Sequence, residues 1–89
     1  MPKVVITHNV IDTAKWLQFK SERADAIAAM GGSIVVDHVA QDGSNTVAVT
    51  AEVDDVAGLT AALSSPPPEV EAIMERHGVV PPLAIYVEQ

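Results

Sequence analysis

SIVVDHVAQDGSNTVAVTAEV, residues 33–53, decides the fold. Its first part, Ser33 to Ala40, and its last, Thr46 to Val53, are rich in β-branched residues and read as strands. Between them Gln41-Asp42-Gly43-Ser44-Asn45 carries an Asp-Gly turn signal, because Gly takes the positive φ that a tight reversal needs. Two strands joined by so short a turn pair as an antiparallel hairpin. The rest of the chain is organised around it.

Upstream, Val4 to Val10 is β-branched and free of Gly and Pro, which predicts a first strand. Asp12 or Thr13 then offers an N-cap for a helix from Ala14 to Met30, with apolar residues at Trp16, Phe19, Ala26, Ile27 and Met30. Gly31-Gly32 ends it. Downstream, Asp54-Asp55 caps a second helix that begins at Val56 and carries Leu59 and Leu63 on one face. Ser64-Ser65-Pro66-Pro67-Pro68 interrupts that helix, since each proline lacks an N–H and restricts its predecessor. It restarts at Glu69 with Val70, Ile73, Met74 and His77 at helical spacing, and stops at Gly78. Pro81-Pro82 leads into a last strand, Leu83 to Glu88.

The order β-α-β-β-α-β is the split βαβ pair of the ferredoxin-like α+β fold, one domain over residues 1–89. Right-handed crossovers give a four-stranded antiparallel sheet in the order 4-1-3-2, with both helices on one face. Strands one and two (Val4, Val5, Ile6 and Ile34, Val35, Val36) do not alternate cleanly, so the bare face is expected to need cover as well. Two sheets packed face to face across a two-fold axis supply it, and a homodimer through the helix-free face is the expected assembly.

Composition points the same way. A chain of 89 residues buries only about 60% of its unfolded surface. The usual remedies are disulfides, metals or oligomerisation. There are no cysteines, and the three histidines show no ligand-like spacing, so neither a metal nor any other cofactor is expected. The net charge of −7 argues against nucleic acid and anionic membranes as partners. No apolar run approaches the ~20 residues of a membrane span. The opening Met1-Pro2-Lys3 runs straight into a strand, and a cytoplasmic protein is expected.

The run Val4-x-x-Thr7-His8-Asn9-Val10-x-Asp12-x-x-x-Trp16, with Phe19 one turn on, resembles the opening of the dimeric α+β barrel superfamily, in its antibiotic-biosynthesis-monooxygenase-like and cyclase-like branch. The second helix agrees, with Ser65-Pro66, then Glu69 to Met74, then Gly78-Val79-Val80-x-Pro82. The resemblance covers essentially the whole chain and implies this fold and dimerisation. It spans cofactor-free monooxygenases, haem-degrading enzymes, polyketide cyclases, lactone isomerases and stress proteins, so it does not single out a chemistry. The haem-degrading branch carries an axial His where Met74 stands and a Trp near Ala61 to Leu63, where none is found. Haem degradation is disfavoured.

Candidate site residues follow from position. Strand periodicity puts His8 on the face of Val4 and Ile6, and His38 on the face of Ile34 and Val36. Both lie near strand ends about 10 Å apart, two strand spacings, a suitable width to bracket a small organic ligand. An imidazole there can act as general acid or base. Trp16 and Phe19 could wall a pocket between helix and sheet; Tyr86 has a phenol that needs a partner if buried. Met74 belongs to the apolar lining. His77 is explained as a cation at a helix C-terminus, Asp12 as an N-cap, and Glu22, Glu52 and Glu88 as solvated charges or interface rim. The expectation is therefore a small apolar or aromatic molecule bound between sheet and helices, with His38, Trp16, Phe19, Met74 and Tyr86 as contacts. The alternative is a cofactor-free monooxygenase, isomerase or cyclase with His8 as the base.

Overall fold

A computed structural model describes all of residues 1–89. The chain runs β1 (Lys3–Val10), α1 (Thr13–Gln18), α2 (Lys20–Ala29), β2 (Gly32–Val39), β3 (Thr46–Val53), α3 (Val56–Ser64), α4 (Pro68–Arg76) and β4 (Val79–Val87). The strands form one sheet in the order β2-β3-β1-β4, every neighbouring pair antiparallel. This is the expected ferredoxin-like α+β sheet, read from its other edge. No helix is long and apolar enough to cross a membrane.

Alternation builds the core. Val47, Val49, Ala51 and Val53 of β3 are buried, as are Val4, Ile6, His8 and Val10 of β1, and the register sets Ile6 opposite Val49. Trp16, Ile27 and Leu59 close over them from the helices. Each such aliphatic side chain taken from water is worth about 1.5–3 kcal/mol. Strand β1 thus alternates cleanly in burial, contrary to the reading of its composition. The opposite face is greasy only in part, with Val5, Val36, Val80 and Tyr86 among Thr7, Thr46, Thr50 and His38.

Three elements depart from expectation. The first helix is broken at Phe19 (φ −97°, ψ 21°), whose N–H bonds back to the Trp16 carbonyl at 3.2 Å. The ring of Phe19 stacks on His77, with centroids 4.7 Å apart, a tertiary contact that propensity does not report. Strand β4 starts at Val79 and contains both Pro81 and Pro82. It is an edge strand, and between Thr7 and Asn9 its pairing with β1 shifts register, so the prolines need not donate to the ladder. In β2 the pairing with β3 shifts between Ser33 and Val36, beside Ile34 at φ 53°. The Asp12 cap is present, its carboxylate accepting from the N–H groups of Ala14 and Lys15 at 3.0 and 3.3 Å. The proline elbow also falls where expected, with α4 restarting at Pro68, where a missing N–H costs nothing.

Candidate functional site

Between the sheet and the helices lies a partly open chamber of about 70 Å³. Its floor is Ile6, His8 and Val49, and its roof is Val70, Ile73 and Met74 of α4. Trp16, Arg23 and His77 close one end. Among its lining side chains only His8, Arg23 and His77 are neither aliphatic nor aromatic hydrocarbon-rich groups. A mostly apolar concavity with few polar groups is the usual form of a small-molecule site.

Strand β1 positions His8, which lies on the core side because Val4, Ile6 and Val10 do. Its Nδ1 lies 3.0 Å from the Asn9 carbonyl. A carbonyl only accepts, so Nδ1 carries the hydrogen and Nε2 holds a bare lone pair. Burial pushes the imidazole below its usual pKa; the Asn9 carbonyl opposes this, and the Arg23 charge adds to it, as would any charge on His77. The ring is therefore neutral at pH 7, with a free acceptor and no hydrogen bond to it. Trp16 meets it edge-on, with centroids 6.2 Å apart and planes at 78°. The indole is fully buried and its Nε1 has no hydrogen-bond partner.

Arg23 sits over the Trp16 ring at 3.8 Å. Its Nε and Nη2 donate to the two oxygens of Asp37 at 3.0 and 2.9 Å, and Nη2 also reaches the Trp16 carbonyl at 3.1 Å. The Arg23 and Asp37 side chains are 8% and 1% exposed, so the pair is buried and geometrically bidentate. Arg23 Nη1 donates to His77 Nδ1 at 3.3 Å, and His77 Nε2 then donates to Glu22 at 2.8 Å. Burial lowers the His77 pKa, against the raising effect of Glu22 and with that of Arg23. The His77 N–H and the Arg76 guanidinium together hold the exposed Glu22 carboxyl below its usual range. This chain of groups ties α2 and β2 to the end of α4. The positive charge of Arg23 is consumed by Asp37 and is not free for an anion.

The expected site residues divide. His8, Trp16 and Met74 meet at the chamber. Phe19 does not line it; its ring is held by His77. His38 is exposed on the other face of the sheet: it pairs with Ala48, whereas His8 pairs with Val47, and adjacent residues of β3 point to opposite sides. The two histidines therefore do not bracket a ligand. Tyr86, opposite Val5 and 60% exposed, also lies on that face. His77, expected as a cation at the helix C-terminus, is instead a buried neutral link, and Glu22, expected as a solvated charge or interface rim, is its partner. Arg23 and Asp37 escaped sequence reasoning. The available signal was Asp37 itself, an acidic residue inside a strand, where Asp is depleted unless something pairs it.

No family profile matches this chain, and no curated protein matches it either. Solved structures do. An antibiotic biosynthesis monooxygenase is 15% identical and superposes over all of this chain and 97% of that one, with a TM-score of 0.63. SnoaB, a cofactor-independent oxygenase from Streptomyces nogalater solved as a single-substitution mutant, is 17% identical over 99% of this chain and 92% of its own, with a TM-score of 0.65. A dimeric ferredoxin-like protein from an uncultured marine organism gives 9% identity, coverage of 99% and 91%, and a TM-score of 0.55. The chain has the fold of the antibiotic-biosynthesis-monooxygenase-like ferredoxin-like proteins.

Proposed function

We propose that this protein pairs with a second copy through the helix-free sheet face, and that each copy binds a small apolar or aromatic molecule between sheet and helices. The observation that carries the reading is a largely apolar chamber holding one unpaired acceptor, His8 Nε2. A hydroxyl on the ligand satisfies that acceptor, whereas a carboxylate or carbonyl oxygen turned towards it is repelled. A cavity of about 150 Å³ holds benzene. The chamber is about 70 Å³, so a ring needs extra room. That room is available at α4, none of whose residues is buried. Pairing through the bare face rests on Val36 and Tyr86, 46% and 60% exposed there, and fits the dimeric state of one fold neighbour.

The test uses the single tryptophan, which walls the chamber. Phenol is titrated into the protein while Trp16 emission is followed, with His8→Phe as the comparison. Saturable change that weakens in His8→Phe supports the reading. An emission unaltered by phenol up to its solubility overturns it.

A second reading makes His8 a base, as in a cofactor-independent oxygenase, isomerase or cyclase. One observation favours it: the hydrogen bond to Asn9 sets the tautomer that leaves Nε2 free to take a proton. The imidazolium formed is disfavoured by burial and by Arg23, which suits reactions that return the proton within the turnover, as isomerisation and aldol-type cyclisation do. Here His8→Ala abolishes turnover with little change in melting temperature; a variant that turns over normally removes His8 from that role.

A further inference from the structure

Beside the chamber, on its outer side, runs an open groove of about 690 Å³ between the proline elbow, α4 and β4. The two spaces share one wall, formed by Leu63, Met74, Val79 and Leu83. The four are not equally movable. Val79 and Leu83 belong to β4, where Val79 is paired with Val10 of β1 and Leu83 directly precedes Ala84, the partner of Thr7. Leu63 ends α3, just before the elbow. Met74 lies in the last turn of α4, which has no buried residue, and an unbranched thioether with three rotatable bonds repacks at little cost.

We infer that Met74 is the gate between chamber and groove and the residue that sets ligand size at this site, an inference that rests on the binding reading above. The occupant it implies is elongated. A compact apolar end bearing a hydroxyl enters past Met74 towards His8, and the remainder lies in the groove. Two features of the site define that remainder. The chamber, at about 70 Å³, is less than half the ~150 Å³ that accommodates one benzene ring, so most of a larger molecule stays outside. The charged side chains lining the groove are Glu71 and Glu75, with no cation among its walls, so the outer part is neutral or cationic and an anionic tail is repelled.

The experiment compares the full-length protein with Met74→Ala and Met74→Leu, using phenol and 1-naphthol as probes. Trp16 emission gives Kd, and melting temperature confirms folding of each variant. Removing the gate is expected to tighten 1-naphthol by about tenfold or more while phenol changes less than about threefold, with Met74→Leu close to the parent. Equal gains for both probes, or none, with phenol still bound, overturn the gate and leave the chamber reading standing. Loss of any response to either probe in the folded parent and variants overturns both.

Discussion

Arg23→Met keeps an apolar stem against Trp16 and removes the guanidinium. Both oxygens of Asp37 hydrogen-bond to that one group, at 3.0 and 2.9 Å, and the Asp37 side chain is 1% exposed, so the substitution strands a carboxylate away from water. Removing one member of a buried ion pair costs about 3–5 kcal/mol. A domain of this size has a total stability of about 5–15 kcal/mol, so a large share is lost. At about 4–8 °C per kcal/mol for 60–100 residues, the melting temperature falls by about 12–40 °C. The double variant Arg23→Met/Asp37→Leu removes both charges and is expected to recover most of the loss, because two desolvation penalties vanish with the attraction. Urea denaturation followed by far-UV circular dichroism at pH 7 measures this, at one protein concentration because association adds to apparent stability. A single variant that loses less than about 1 kcal/mol, or a double variant no more stable than the single one, refutes the assignment of this pair as a structural strut.

Burial pushes both His8 and His77 below 6.5, so each prefers to be neutral in the folded chain. Their contribution is fully present above about pH 6.5 and is lost as pH falls through the folded pKa values, with a slope of up to about 1.4 kcal/mol per pH unit for each. Urea midpoints at pH 7.5, 6.5 and 5.5 show the decline, and His8→Leu reduces it; a flat profile contradicts the burial of these rings. A Cβ at Gly32 would lie 2.5 Å from Ile27 Cγ2 and 3.2 Å from the Ile27 carbonyl oxygen. Gly32→Ala therefore overpacks the junction of α2 with β2 and costs about 1–3 kcal/mol in the same denaturation assay. Tyr86→Lys places a charge on the helix-free face beside Val5 and is expected to convert a dimer to monomer in sedimentation velocity, with the fold kept.

How legible the molecule was depended on whether the information was local. Strand β3 could be read residue for residue, because Thr46 to Val53 alternates and is bounded by turn and cap signals. The elbow at Ser64 to Pro68 was equally plain, since proline's missing N–H acts wherever the chain goes. The break at Phe19 was not, because it accompanies a stack on His77, 58 positions away in sequence. Periodicity put His8 correctly with Val4 and Ile6, and His38 with Val36, yet gave no relation between the two strands. That relation lies in the β3 register, where Val47 and Ala48 face opposite ways. Composition alone left no sign that His77 would be neutral and buried; its partners come from α2, and only the tertiary fold joins them.

A crystal structure of the protein grown with phenol tests the central claim most directly. Density for the ring is expected under α4, with its hydroxyl within about 2.6–3.2 Å of His8 Nε2. Phenol absent from the chamber, or bound only on the helix-free face, contradicts the account.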